Sequence, residues 1–194
     1  MAVGICAARP EAIIDGVFQA LQALEDKHRE WRRLARRLPS ALEVRPADQE
    51  DTERILELEL HENRYEAEIY GDYALLSADP SVEQILEQLD RGVFLKAMVD
   101  SEILGTMRAE VREQECLLSR LSVDFRFRHR GIRAGLLAGA EGAFPEARCY
   151  IFELRHAGRG TLRDFQRCGY LPVSHEAPPG TRRSREPLRL EKKR

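Results

Sequence analysis

The chain has 194 residues, 43% hydrophobic and 33% charged, with a net charge of −2. This suits one globular domain with an appendage and argues against bulk nucleic-acid binding. No apolar run approaches membrane-spanning length, and the opening MAVGICAARPEAIID lacks the basic flank and long apolar stretch of a secretory signal.

Cys6, Cys116, Cys149 and Cys168 show no CxxC spacing and no paired-histidine motif nearby. They read as reduced thiols of a cytoplasmic protein, not as a zinc site. The distribution of charge says more than its sum. Residues 43–180 hold 17 Lys and Arg against 26 Asp and Glu, a net −9, while both ends of the chain are basic. Within that body, 48–72 carries ten acids and only Arg54 and Arg64, whereas 120–133 carries Arg120, Arg126, Arg128, Arg130 and Arg133 against Asp124 alone. One region should attract cations and another anions.

In chain order, the first expected element is a helix from Pro10 to Pro39. Ile14, Val17, Leu21, Leu24, His28, Trp31, Ala35 and Leu38 form a heptad-like stripe along it, and its second half is basic. A helix docked on its own domain, a homodimer through 14–38, a helix for a membrane surface or acidic partner, and a poorly ordered appendage are all compatible with this pattern. We therefore divide the chain into an N-terminal helical extension, 1–42, and a domain, 43–194.

LEVRP then reads as a short strand, and residues 47–71 as a helix with Ile55, Leu58 and Ile69 facing inward. The segment 72–80 reads as a loop, and Ser81 with Gln84 as a capping box opening a second helix. GVFLKAMV and ILGTMRAEV are antiparallel strands joined by a tight turn, with a bulge suggested at Gly105. ECLLSRLSV is the next strand, followed by a helix from Gly131 to Ala143. RCYIFEL is a strand, GTLRDFQRC a helix, and GYLPV with EPLRLEK a closing hairpin.

A strand, a basic turn containing glycine and then a helix is an arrangement suited to holding phosphate. The first N–H groups of a helix have no partners within it, and the macrodipole places partial positive charge there. Gly131 lets the backbone approach a ligand closely, and arginines add charge-assisted hydrogen bonds. In its surroundings, LSRLSVDFRFRHRGIRAGLL resembles the acyl-CoA loop of the GNAT superfamily of N-acetyltransferases, Arg/Gln-x-x-Gly-x-Gly/Ala. Arg128 and Gly131 match its first two fixed positions. The strand pair at 93–111, LLAGAE and QRCGYLPV are also similar to that family, and the resemblance covers roughly 43–192.

The resemblance implies an α/β fold: a mixed, largely antiparallel sheet of about seven strands, splayed at its centre and flanked by helices. It implies acetyl-CoA as cosubstrate, its pantetheine arm along Leu121, Ser122 and Val123. The pyrophosphate would lie on the backbone of Arg128, His129, Arg130, Gly131, Ile132, Arg133 and Ala134. A primary amine of a small molecule or peptide then attacks the thioester directly, without metal. Three positions depart from the family pattern. Arg133 replaces a Gly or Ala, and its side chain either crowds the pyrophosphate or points away. Phe165 stands where the family carries a Tyr that protonates the departing thiolate, and Thr161 aligns near a common Asn.

Met107, Ala109 and Val111 alternate to one face of their strand, leaving Glu110 on the other. Glu110 is the candidate base through water, with Glu59 and His61 as competitors. If the acids of 48–72 line the cleft, the acceptor is cationic. The sequence therefore supports an N-acetyltransferase, a catalytically weakened relative that binds acyl-CoA as a sensor or scaffold, or an interaction protein acting through 14–38.

Overall fold

The computed structural model describes residues 10–38, 40–156, 158–173 and 187–194. Backbone contacts divide the chain into two units, Met1–Arg37 and Leu38–Arg194. The first contains helix α1 (Pro10–Arg37). The early part of its stripe, side chains 10–18, lies outside the described side chains, while Leu21 and Leu24 are exposed.

The second unit follows the order read from the sequence. After β1 (Glu43–Pro46) come α2 (Thr52–Tyr70) and α3 (Val82–Arg91). Three strands follow, β2 (Val93–Val99), β3 (Glu102–Arg112) and β4 (Glu115–Val123). Then come α4 (Ile132–Ala143), β5 (Cys149–Leu154), α5 (Arg159–Arg167), β6 (Leu171–Pro172) and β7 (Leu188–Lys193). One seven-stranded sheet runs β1-β2-β3-β4-β5-β7-β6. Its neighbours are antiparallel except β4 and β5, which are parallel.

Helix boundaries follow local chemistry. The Asp48 carboxylate accepts from the Glu50 N–H, while the Asp48 N–H donates to Asp51, both at 2.9 Å, so the chain is capped on its way into α2. The α2 end is Gly71, in the left-handed conformation (φ 67°) that glycine adopts without strain. Ser81 and Gln84 make the expected capping box at α3. Two expectations are corrected. Ile69 is 54% exposed, and near the end of α2 it is Ala67 that is buried instead. Residues 73–78, read as loop, form a 3-10 helix that buries Leu75.

Paired residues share a face of the sheet, so Phe94 and Lys96 face one way and Leu95, Ala97 and Gly105 the other. On the first face Phe94 packs with Ile55 of α2 and Ile85 of α3. The second face receives α4, whose Leu136, Leu137 and Ala140 are buried. Glycines set that approach: a Cβ on Gly139 would stand 2.5 Å from Val44 Cγ1, and one on Gly105 would stand 2.8 Å from Ile132 Cγ2 and 3.0 Å from the Ser122 carbonyl. Ala97 pairs Gly105 while Met98 pairs Ile103, so the strand bulges beside Gly105 as expected. Gly105→Ala should destabilise the protein by about 1–3 kcal/mol, the usual cost of overpacking, measurable by chemical denaturation. An unchanged denaturation midpoint would show that the first turn of α4 yields freely.

Two irregularities of β4 position the site. Between Thr106↔Ser122 and Arg108↔Ser119 it carries one residue more than β3, a bulge at 120–121, and Arg120 takes φ 52°. Pairing with β5 ends at Leu118↔Phe152. Beyond that pair the two strands part, leaving 119–123 as an open edge in the middle of the sheet.

Candidate functional site

The parting of β4 and β5 opens a cleft of about 630 Å³, within the range of small-molecule sites. Its walls are α2, the open β4 edge, the turn entering α4, the end of β5 and α5. Of the residues assigned to the coenzyme from sequence, Leu121, Ser122, Val123, Arg128, His129, Gly131, Ile132, Arg133 and Ala134 line it. Arg130 does not, and is exposed.

The α4 entrance has the geometry expected of an anion site. His129 (φ 62°) and Gly131 (φ 85°) both take left-handed conformations. Gly131 is the N-cap residue, and no side chain caps the helix. The first intrahelical bond, Gly135 N–H to the Gly131 carbonyl at 2.8 Å, leaves the amides of Ile132, Arg133 and Ala134 to a ligand or water. The approach to this turn is fixed by Asp124, whose carboxylate is 3% exposed. It accepts from Arg54 at 2.8 Å and from Arg126 Nε at 2.8 Å, while Arg54 also donates to the Ile103 carbonyl. Burial pushes this carboxyl up, but the hydrogen bonds from Arg126 and Arg54 outweigh it and hold it below its ordinary range.

Two arginines of the turn already hold internal partners. Arg128 donates to Glu62 at 2.9 Å and lies 3.4 Å from the centre of the Tyr65 ring. Arg133 reaches Asp164 of α5 at 3.0 Å, its guanidinium 5.6 Å from the Phe165 ring centre. Phe165 itself is 1% exposed, packed on Phe152 at 4.7 Å and Tyr170 at 5.9 Å. Thr161 lines the cleft beside it.

The opposite wall is acidic. Of the ten acids in 48–72, Glu59, Glu62 and Glu66 line the cleft, stacked on one side of α2 by their spacing. Glu59 is 2% exposed. Its Oε2 accepts from Arg120 at 3.2 Å, and its Oε1 is buried with no hydrogen-bond partner. Burial raises its pKa to about 7, with Arg120 and Arg108 only partly offsetting the effect. Glu62 is also raised by burial, against the pull of Arg128 and the Val123 N–H. Glu66 is raised by burial and by Glu62, against His156, Arg155 and Arg128.

Glu110 is elsewhere. It is absent from the cleft lining and accepts from Arg112 at 2.8 Å and Arg108 at 3.1 Å. The Arg112 hydrogen bond holds its carboxyl below the ordinary range, the wrong direction for a base at neutral pH. His61, the other competitor, faces outward against Phe125, with ring centres 6.3 Å apart. Sequence reasoning counted Arg120 only in a basic cluster and did not single out Glu62, Tyr65, Glu66 or Asp164. The i, i+3, i+7 spacing of Glu59, Glu62 and Glu66 was the available signal for the acidic wall.

The cleft cysteine, Cys168, has its thiol raised by burial, and Cys116 is pushed up to about 12 by burial. Neither is an activated nucleophile. Among the described residues no group of three or more His, Cys, Asp or Glu is arranged to hold a metal.

No protein-family model matches the sequence, and no curated protein does. Solved structures do match its shape. PaiA N-acetyltransferase from Thermoplasma acidophilum, in complex with coenzyme A, is similar at TM-score 0.66 and 20% identity, over 79% of this chain and 99% of that one. The GNAT domain of PAT from S. lividans is similar at TM-score 0.60 and 18% identity, over 77% and 89%. RimL, a ribosomal L7/L12 alpha-N-protein acetyltransferase in complex with coenzyme A, is similar at 0.59 and 13%, over 80% and 96%. The fold is that of the GNAT N-acetyltransferases.

Proposed function

We propose that the protein transfers an acetyl group from acetyl-CoA to a primary amine of a small molecule or peptide, with Glu59 as the general base. The observation that carries this reading is Glu59 itself: a buried carboxylate with an unshared oxygen, in a cleft bounded by an uncapped helix start and an open strand edge. The amides opening α4, with Arg128 and Arg133, suit the pyrophosphate. The β4 edge at Leu121, Ser122 and Val123 suits the pantetheine amides, for which β5 offers no competing partner there. Residues 43–194 supply this machinery, and 1–42 is an extension to it.

The chemistry follows from these groups. An alkylammonium ion enters along the acidic wall, and Glu59 takes a proton from it, directly or through one water. The freed lone pair attacks the thioester carbonyl carbon. The carbonyl oxygen takes up negative charge, which a β4 main-chain N–H stabilises. Collapse expels the thiolate of coenzyme A, and the nitrogen, still carrying one proton too many, passes it to that thiolate or to water, leaving the neutral amide and coenzyme A. No described helix is long and apolar enough to cross a membrane; a cytoplasmic setting is part of the proposal.

A second reading, a catalytically weakened acyl-CoA sensor or scaffold, is favoured by one observation. Phe165 is sealed in an aromatic cluster and has no proton for the departing thiolate. Thiol release from acetyl-CoA across a panel of alkyl amines separates the two. We expect turnover that rises with pH toward neutrality. Coenzyme A binding in calorimetry without thiol release above background would leave the sensor reading.

A further inference from the structure

Arg120 stands where β4 breaks its own alternation. Ser119 pairs Arg108, which pairs Phe94, so Ser119 lies on the face of the sheet that α2 covers. Regular pleating would send residue 120 to the opposite face, the one α4 packs on. The extra residue of the bulge suspends that rule, and the Arg120 guanidinium reaches Glu59 on α2 at 3.2 Å. The backbone is left-handed at this point, φ 52°, which a residue with a Cβ adopts only at a cost. Strain of this kind persists where the surroundings impose it, and it gathers at functional positions.

The contact is one-sided. Arg120 holds Glu59 Oε2, while Oε1 is buried with no hydrogen-bond partner. The Arg120 side chain is 39% exposed and lines the cleft, against 2% for the carboxylate it holds. Among the described residues the other cation acting on Glu59 is Arg108 of β3, which gives its Nη2 to Glu110 at 3.1 Å. Glu62, one turn along α2, is common to every variant compared below.

We infer that Arg120 is the positioning residue of the base: by gripping one oxygen of Glu59 it leaves the other to the amine, and it ties the carboxylate to the strand whose main chain receives the thioester oxygen. This rests on the acetyl-transfer reading. An electrostatic consequence follows. A positive charge at hydrogen-bond distance favours the ionised carboxylate against burial, and Arg120 is the larger of the two cations that do so here. Without it the buried acid keeps its proton to higher pH, and less of it is a base at neutrality.

The test uses the full chain, acetyl-CoA and the alkyl amine that turns over fastest in the panel, with kcat/KM followed against pH. Arg120→Gln should move the inflection near 7 upward by about one unit, a loss of about fivefold at pH 7 from ionisation alone. Arg120→Lys retains the charge and should retain the inflection. In the Glu59→Gln background, Arg120→Gln should alter kcat by less than about threefold, because the group it acts through is gone. An inflection unmoved by Arg120→Gln, or losses from the two substitutions that simply multiply, overturns the inference alone. Absence of thiol release with every amine overturns the acetyl-transfer reading, and the part of Arg120 in turnover with it. Chemical denaturation at pH 8 reads the pair without turnover: the gap in stability between Glu59→Gln and its parent should widen once Arg120 is replaced by glutamine. A gap that stays the same overturns the inference by itself. Where Arg120→Gln folds poorly, Arg120→Gly removes the same charge and suits φ 52° better.

Discussion

Replacing Glu59 with glutamine should lower kcat by about 10²- to 10⁴-fold, the usual contribution of a positioned general base. The amide keeps the size and the hydrogen-bonding reach of the carboxylate but cannot take a proton. In the unaltered protein kcat/KM for the amine should climb with pH and level off near 7, because that is where Glu59 ionises in the free cleft. The glutamine variant should lose that inflection.

The same substitution should make the protein more stable at alkaline pH. The folded-state pKa of Glu59 lies above its ordinary 4.5, so folding favours the neutral acid. Its contribution is fully present below about 4.5, erodes as pH rises, and is gone above 7. The charge then costs on the order of 3 kcal/mol at most, which glutamine avoids. Denaturation at pH 8 and pH 4 should show a gap between the two proteins that closes at the lower value. Turnover by Glu59→Gln at the unaltered rate would eliminate Glu59 as the base.

Gly131→Val should weaken coenzyme A binding by about two orders of magnitude, measured by calorimetry on the folded protein. Gly131 has φ 85° and ψ −3°, a left-handed conformation that a β-branched residue adopts only under strain. The chain relieves that strain by rotating the turn, and the amides of residues 132–134 lose their common aim. Substitution by alanine should cost less, since a single Cβ tolerates this region better than a branched one. The sheet and α4 packing lie outside the turn, so circular dichroism should be preserved in both. Coenzyme A affinity unchanged in Gly131→Val would mean that the helix mouth is not where the diphosphate is held.

Much of this was legible before the fold was known, and for identifiable reasons. Strand–turn–helix order, Gly131 and the neighbouring arginines are local features, so the turn and the order of elements along the chain could be read directly, while the sheet followed from the family resemblance. The capping box at Ser81 and the bulge beside Gly105 were local as well. The base was not. Glu110 and Glu59 are equally ionisable in sequence, and only the tertiary arrangement separates them: Arg108 and Arg112 pin the first, while burial lifts the second. The β4 bulge left no mark in ECLLSRLSV, because it depends on register with β3. For Arg133 the sequence allowed two placements, and the structure shows its guanidinium reaching Asp164 on α5. Ile69 was expected inside by helical period alone, yet at that end of α2 the buried position is Ala67, two residues earlier.

The arginines at the cleft entrance also bear on selectivity among anions. Arg128 and Arg133 each hold a carboxylate of the protein itself, Glu62 and Asp164. A guest must therefore compete with a built-in counter-ion, and capture becomes an exchange. Chloride or a lone carboxylate offers no more than the resident partner and gains little. A diphosphate brings several charged oxygens at once and can meet both guanidiniums together with the helix amides. If this mouth holds the diphosphate as we propose, such a threshold favours a guest carrying several charges over a single ion.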